Sequence, residues 1–380
     1  MHKIIVLGAG LVGGPIAIDL SKELDFEISI ADINENSLAK ITCNQRIKSV
    51  QKDMSNPSDV INLVSDYDYV INAVPGFMGF QTLKAIIEAG KSAVDIAFFP
   101  EDFFLLNDLA KEKGVTIISD MGVAPGMSNV LIGYADAMLD RTEKAIIYVG
   151  GLPKIREQPF EYKAVFSPAD VIEEYTRPAR IVENGKIVIR EALSEPELLF
   201  FPKIGTLEAF NSDGLRSLIK TIDAPFMVEK TLRYPGHIDK MKFLRETGFF
   251  QKEEVKINGC SVSPLALTSK LLFPKWKLEE GEDDITIMKV IVEGKAEGKK
   301  TLYSWDLYDQ YNHDTHIHSM ARTTGYTASS ALRMIIKGLY RKPGVSAPEF
   351  IGKNKECVKF LFNSLEERGV IYHEIKKTEL

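Results

Sequence analysis

Short apolar runs rich in branched side chains alternate with stretches of helical period over residues 3 to 150. That alternation predicts βαβ units around a parallel sheet, because strands buried on both faces read as near-continuous apolar runs. KIIVLG, EISIAD, IKSVQKD, DYVINAV, KSAVDIA, VTIISD and KAIIYVG are the expected strands. PIAIDLSKEL, FQTLKAIIEAG, PEDFFLLNDLAKEKG and PGMSNVLIGYADAML are the expected helices, and Gly90 and Gly114 suit the position just past a helix end. Beyond Gly150 strand-like runs and loops dominate. PARIVENGKIVIRE reads as a hairpin about Asn184-Gly185, and DDITIMKVIVEGKAEGKKTLYSWDLYDQY as a longer one turning near Gly294 to Gly298. From Arg322 onward the helical period returns in TTGYTASSALRMIIKGLYRKPG.

The first apolar run ends in VLGAGLVGGP, where Gly8, Gly10 and Gly13 make G-x-G-x-x-G between a strand and a helix. In that context the glycines serve a tight turn, approach of a pyrophosphate to the backbone, and close helix–sheet packing, with Leu11 and Val12 completing the loop. Asp32 ends the second strand about 20 residues past the last glycine, where a carboxylate receives the adenosine ribose hydroxyls and repels a 2′-phosphate. Its neighbours Ile33 and Asn34 are not basic, so NAD is the expected cofactor rather than NADP. Asp53 follows the third strand, within reach of the adenine edge or as a solvated loop acid. Ala73, Val74, Pro75 and Gly76 end the fourth strand with small or rigid residues that suit backbone close to a cofactor, and Phe77 is expected beside the nicotinamide.

The fold class expected is therefore α/β: a Rossmann-type doubly wound parallel sheet with a second, sheet-rich α+β substrate domain. The expected boundaries are a dinucleotide-binding domain over 1–125, a substrate and oligomerisation domain over 126–320, and a segment over 321–380 that returns to the first domain.

Composition narrows the function classes. A net charge of −6 argues against a dedicated nucleic-acid surface while leaving room for a local basic patch, and no apolar run reaches the roughly 18 residues a membrane span needs. The opening MHKIIVLGAG reads as a strand, not a cleavable leader, so a cytoplasmic protein is expected. The three cysteines, Cys43, Cys260 and Cys357, are far apart and read as isolated thiols. His313, His316 and His318 in NHDTHIHSM have the residue type of metal ligands, but Asp314 is the one obvious partner, so solvated hairpin histidines and no metal are expected.

Longer segments carry a family resemblance. GAGLVGG, SDMGVAPGMSNVLIGY from Ser119, YVGGLP from Tyr148, EYKAVFSPADVIEEYTRPA from Glu161, GTLEAFNSDG from Gly205, KTLRYPGH from Lys230, INGC from Ile257 and MARTTGYT from Met320 resemble the saccharopine dehydrogenase family, most of all its NAD-dependent lysine 6-dehydrogenases. The saccharopine reductase branch tends to read LDPGID and TLRYQGF, where this chain has VAPGMS with Ala124 and TLRYPGH with His237. Those departures turn the expectation from saccharopine toward lysine.

The resemblance implies oxidative deamination of the lysine ε-amine with NAD, giving a semialdehyde that cyclises, with release of ammonia. It also implies an amino-acid substrate and a homodimer or homotetramer. Because the amine titrates near 10.4, a proton must leave before hydride can. Asp120 and Asp95, ending the sixth and fifth strands, are the expected groups to hold the ammonium or take its proton. Arg233 is the expected clamp for the substrate carboxylate, with Thr231 and Tyr234 beside it and His237 as a base or a further donor. The alternatives are oxidation of a secondary amine such as saccharopine or carboxynorspermidine, and a non-catalytic NAD-binding regulator, for which this set of polar residues has no use.

Overall fold

The computed structural model describes residues 1–42, 46–279 and 281–379, which leaves Cys43 outside the described residues. Two compact units are present: Met1–Met138 with Ala321–Ile371, and Leu139–Met320 with Tyr372–Leu380.

In the first unit the apolar runs form β1 (His2–Leu7), β2 (Phe26–Asp32), β3 (Ile47–Gln51), β4 (Tyr69–Asn72), β5 (Ser92–Asp95) and β6 (Thr116–Ile118). All pair in parallel, in the order β6-β5-β4-β1-β2-β3, so the order reverses between β1 and β4. A crevice at that reversal is where open α/β sheets bind ligands. The connecting helices are α1 (Gly13–Leu20), α2 (Glu35–Thr42), α3 (Pro57–Val64), α4 (Gly76–Glu88), α5 (Asn107–Glu112) and α6 (Met127–Asp136). Gly90 and Gly114 stand past α4 and α5 with φ 71 and 68, the left-handed geometry expected of them.

The seventh expected strand, KAIIYVG, is not in this sheet. It lies within β7 (Arg141–Pro153) of the second unit, and the seventh place beside β6 is taken by β17 (Gly344–Ser346). Three residues carry no readable period, which is why the sequence pattern passes over β17.

The second unit is built on a mixed sheet: β7, β8 (Ala179–Glu183), β9 (Lys186–Arg190), β10 (Glu197–Phe201), β11 (Gly205–Asn211), β12 (Phe226–Arg233), β15 (Asp284–Ala296), β16 (Lys299–Gln310) and β18 (Tyr372–Thr378). A separate small hairpin joins β13 (Val255–Ile257) to β14 (Cys260–Val262). Both expected hairpins form. Asn184 and Gly185 turn β8 into β9 at φ 50 and 73, and Glu297 and Gly298 turn β15 into β16 at φ 52 and 76. Gly294 sits instead at a register shift within β15, where a Cβ would come 2.2 Å from the Arg141 carbonyl oxygen. One core of this unit gathers Tyr175 of α7 (Pro168–Thr176), Ile238 and Met241 of α9 (His237–Glu246), Trp276 of α10 (Pro264–Trp276) and Phe210 of β11. A second core holds Ile146, Val228, Leu232, Ile285 and Ile287 of the sheet itself. The short α8 (Leu218–Thr221) precedes β12.

From α11 (Ser319–Ile336) the chain passes back to the first unit through β17, α12 (Pro348–Gly352) and α13 (Lys355–Glu366). Its fastening is a buried charge. Asp19 on α1 accepts from Arg333 at 2.7 Å, from Ser329 at 2.6 Å and from Arg368 at 2.9 Å. Burial alone would raise the Asp19 carboxyl, but the two guanidiniums hold it below the usual carboxylate range. A charge so placed persists because it is both paired and hydrogen-bonded. Helix α6 packs on α12, so the first unit runs to Met138 rather than to the expected residue 125, and β18 (Tyr372–Thr378) joins the second unit as an edge strand. Among the described residues no helix is long and apolar enough to cross a membrane.

Candidate functional sites in the two units

The glycine loop closes on itself as a nucleotide cradle requires. A Cβ at Gly13 would lie 2.0 Å from the Gly8 carbonyl oxygen, and one at Gly8, where φ is 102, would lie 2.4 Å from the Ala73 carbonyl oxygen. At Gly10 a Cβ would meet nothing within 4 Å, so the protein itself gives no packing reason for that glycine. Space left open above the backbone at the middle glycine is what a pyrophosphate needs. Helix α1 begins at Gly13, so its free amides and positive end stand beside the loop.

Asp32 is tied to the cradle. Its two oxygens accept from the Ala9 backbone N–H at 2.7 Å and from that of Asn34 at 2.8 Å, fixing the carboxylate between the loop and the end of β2. Three large apolar side chains stay exposed near the carboxyl ends of β1, β2 and β4: Leu11 at 52%, Ile33 at 62% and Phe77 at 88%. Isolated exposed apolar residues are ordinary, but three around one glycine loop suit the flat faces of a dinucleotide. Phe77 lies in the first turn of α4, two residues after the Pro75 at its N-cap, and Val74 and Ala73 end the β4 connection. Asp53 is an exposed turn acid whose carboxylate accepts from the Ser55 N–H at 2.9 Å, which holds it below the usual range.

The two acids of β5 and β6 are both buried. Asp95 accepts from the Asn72 side-chain amide at 2.8 Å, from Ser119 Oγ at 2.7 Å and from the Ala97 N–H at 3.3 Å. Burial pushes its carboxyl up to about 7, opposed by the Ser119 bond and reinforced by the charge of Asp120. Asp95 has no exposed surface, its carboxyl being enclosed by these three partners. Asp120 has a left-handed backbone at φ 56, in the turn between β6 and α6.

In the second unit Glu229, Thr231 and Arg233 fall on one face of β12, the spacing of two that a strand imposes. Arg233 is buried. Its Nη2 donates to Glu174 at 2.6 Å, its Nε to the Tyr175 hydroxyl at 3.1 Å and its Nη1 to the Leu232 carbonyl at 3.0 Å, while its guanidinium lies 4.5 Å from the Tyr162 ring centre. The carboxylate this arginine clamps is the protein's own Glu174.

His237 is also interior. Its Nδ1 is 2.9 Å from the Phe160 carbonyl, which only accepts, so Nδ1 carries the proton. Nε2 then accepts from the Tyr175 hydroxyl at 2.9 Å, and that hydroxyl in turn accepts from Arg233. Burial, with Arg233 nearby, pushes the imidazole down to about 3, so it stays neutral and both nitrogens are engaged. The expected base is thus a structural linker between α9 and α7. Tyr234 donates to the Pro153 carbonyl at 2.9 Å, and the Thr231 hydroxyl bonds Ser212 at 2.7 Å.

Residues the sequence did not mark belong to the same region. Glu229 is buried, accepts from Ser212 at 2.7 Å, and is pushed by burial up to about 8. Arg216, in the NSDGLRS turn before α8, is buried with a left-handed φ of 51, a rare and costly conformation for a long side chain. The turn was readable from Asn211, Ser212, Asp213 and Gly214, but nothing in its composition announced that the arginine turns inward.

Of the loop histidines, His313 pairs with Asp283 at 3.1 Å and His316 with the Tyr311 hydroxyl at 3.2 Å. Among the described residues no group of three or more His, Cys, Asp or Glu side chains is gathered as a metal site. Cys260 is exposed and Cys357 buried, both as free thiols.

Comparison with known proteins places these features. Residues 4–118 match the saccharopine dehydrogenase NADP binding domain and residues 122–370 the saccharopine dehydrogenase C-terminal domain. The chain is 24% identical to the saccharopine dehydrogenase [NADP(+), L-glutamate-forming] of Schizosaccharomyces pombe, over 98% of this chain and 99% of that protein. It is 26% identical to the mitochondrial alpha-aminoadipic semialdehyde synthase of Mus musculus, over 69% of this chain, and spans only 30% of that longer protein. The structure of the apo L-Glu-forming saccharopine dehydrogenase of Saccharomyces cerevisiae shares its fold at a TM-score of 0.82 and 17% identity, over 99% of this chain and 100% of that one. With both family domains matched in sequence order, the chain belongs to the saccharopine dehydrogenase family.

Proposed function

We propose that this chain is a nicotinamide-dependent oxidoreductase that breaks a carbon–nitrogen bond of the saccharopine type. Saccharopine joins the ε-carbon of a lysine skeleton to glutamate through a secondary amine. The end-to-end match to the S. pombe relative carries this reading, since it spans both domains of a protein named for that activity.

A bound nicotinamide would accept the hydride from the carbon next to nitrogen. The chain's residues supply the rest. Gly8, Gly10 and Gly13 seat the phosphates, Asp32 receives the ribose hydroxyls, and Phe77, Leu11 and Ile33 offer apolar faces to the rings. Asp120 holds the amine as a cation and takes its proton, after which the imine is hydrolysed to semialdehyde and glutamate. Arg233, Thr231, Tyr234 and His237 act through the interior they brace rather than by touching substrate. We favour NAD over NADP because Asp32 ends β2, the position where a carboxylate receives the ribose hydroxyls and repels a 2′-phosphate, although the matched family domain and the S. pombe relative are named for NADP.

Within the family, Ala124, which stands where the saccharopine branch tends to carry an acid, favours a second reading, lysine ε-deamination with release of ammonia. One assay separates the readings: nucleotide reduction with saccharopine and then with lysine, each with NAD and with NADP. Reduction with saccharopine supports the first reading and reduction with lysine the second. Binding of nucleotide without turnover on any amine leaves the regulator.

A further inference from the structure

We propose that the sheet edge formed by β9 and β10 is a two-fold interface at which this chain binds a second copy of itself. The inference is independent of the reaction proposed above and gives the expected homodimer a definite surface.

Ile187 and Ile189 of β9 and Leu198 and Phe200 of β10 are each more than half exposed. Strand register places them in one row. Ile187 pairs with Val182 of β8, which pairs with Met227 of β12, while Leu198 pairs with Glu208 of β11, which pairs with Arg233 of β12. Met227 and Arg233 are an even number of residues apart, so all four side chains leave the same face of the sheet. β9 and β10 each lie two strands from β12, on the side away from β7, and both run in its direction. Continuing the ladders along β12, Ile187 and Ile189 stand level with positions 227 and 229, and Leu198 and Phe200 with 233 and 235. The row is roughly 26 Å long at about 3.3 Å per residue. Among the described residues neither β9 nor β10 has a strand on its outer side, and Pro196 and Pro202 flank β10, which disfavours further strand pairing. Contact at this edge is therefore between side chains.

At the 227 end of the row lies a hollow of about 310 Å³ lined by Val182, Ile187, Ile219, Ile222 and Met227. At the other end stands the Phe200 ring. Such a row is complementary to itself reversed. A two-fold axis crossing it level with position 231 lays the partner's Phe200 over the hollow and the partner's Leu198 over Ile189. The same operation sets Arg180, level with 229 on β8, opposite the partner's Glu208, level with 233 on β11. Within its own chain Arg180 holds Asp213 at 2.8 Å, and Glu208 accepts from the Gly236 N–H at 3.0 Å. Opposite charges thus meet beside an apolar row, and each contact occurs twice, as a two-fold requires. β8, β9, β10 and the segment from α8 to Met227 supply the roughly 20–30 residues that one side of a stable interface uses. Large apolar side chains gathered on one surface mark a protein contact, where the same residues scattered singly would not.

The test is sedimentation equilibrium of the full chain at micromolar concentration. The wild type should sediment as two chains or a multiple of two, and Phe200→Asp, with an unchanged circular dichroism spectrum, should raise the dimer dissociation constant at least tenfold. A monomeric wild type, or an assembly indifferent to Phe200→Asp, overturns the interface. If that variant does not fold, Ile189→Asp on the other strand should weaken the dimer in the same way. The alignment is tested by oxidation in a Cys43→Ser, Cys260→Ser background. Mixed Ile189→Cys and Leu198→Cys chains should cross-link with each other, and neither should cross-link with itself. Self-linking of Leu198→Cys, or no cross-link in the mixture, overturns the two-fold at this row.

Discussion

Tyr175 and His237 share a 2.9 Å hydrogen bond that runs on through the tyrosine hydroxyl to Arg233 and so links α7, α9 and β12 inside the second unit. Removing the hydroxyl leaves the His237 Nε2 and the Arg233 Nε without their partner. Tyr175→Phe should therefore lose about 1–3 kcal/mol of stability in urea unfolding, with nucleotide affinity unchanged. A variant as stable as the wild type would show that the chain of bonds is not formed.

The same interior predicts a pH dependence. His237 titrates near 6.5 when unfolded and is held down to about 3 when folded. A depressed value means the unfolded chain takes the proton first, so this contribution is present above about 6.5 and is lost as pH falls toward 3. Urea midpoints across that window should fall more steeply in the wild type than in His237→Gln, which has no proton to gain there. Equal slopes would contradict a neutral, buried imidazole.

Glu229 carries the opposite sign. Its carboxyl is raised by burial to about 8, so its contribution is full below the ordinary glutamate range and is lost as pH rises through about 8. Glu229→Gln should be the less pH-sensitive protein between about 4.5 and about 8, gaining on the wild type as pH rises across that window. A constant difference between the two at all pH values would place the carboxyl in contact with solvent or a cation.

The two outer positions of the glycine loop and its middle one should behave differently. Gly13→Ala drives a methyl into the Gly8 carbonyl and should lower stability as well as binding, whereas Gly10→Ala meets no protein atom. Gly10→Ala should melt near the wild-type temperature yet bind nucleotide at least tenfold more weakly in a calorimetric titration. Unchanged affinity in that variant would remove the loop from the nucleotide site.

What the sequence disclosed and what it withheld follow from range. The glycine loop, Asp32 and the hairpin at Asn184-Gly185 depend on turn chemistry and short spacings, which residue order carries directly. Strand β7 was legible as a strand but not as a member of the other sheet, because pairing partners lie far off in sequence. Arg233 and His237 were legible as residues of chemical use, but their engagement by Glu174, Tyr175 and Phe160 is a product of packing between α7, α9 and β12. Asp120, proposed as the acid that meets the amine, was marked by its place after a strand, and the structure adds its left-handed backbone and its burial.

Asp32 offers a specific check on cofactor choice. Asp32→Ala removes both the brace on the Ala9 amide and the charge opposed to a 2′-phosphate. NAD should bind more weakly and the preference over NADP should narrow or invert, as read from the ratio of dissociation constants. A preference for NADP already present in the wild type would overturn this account of Asp32.

The central claim is cleavage of a carbon–nitrogen bond, and the most direct measurement is a product balance. With saccharopine and NAD, the account predicts one glutamate released for each NAD reduced, and no ammonia. Reduction without glutamate, or bound NAD that saccharopine never reduces, would contradict it.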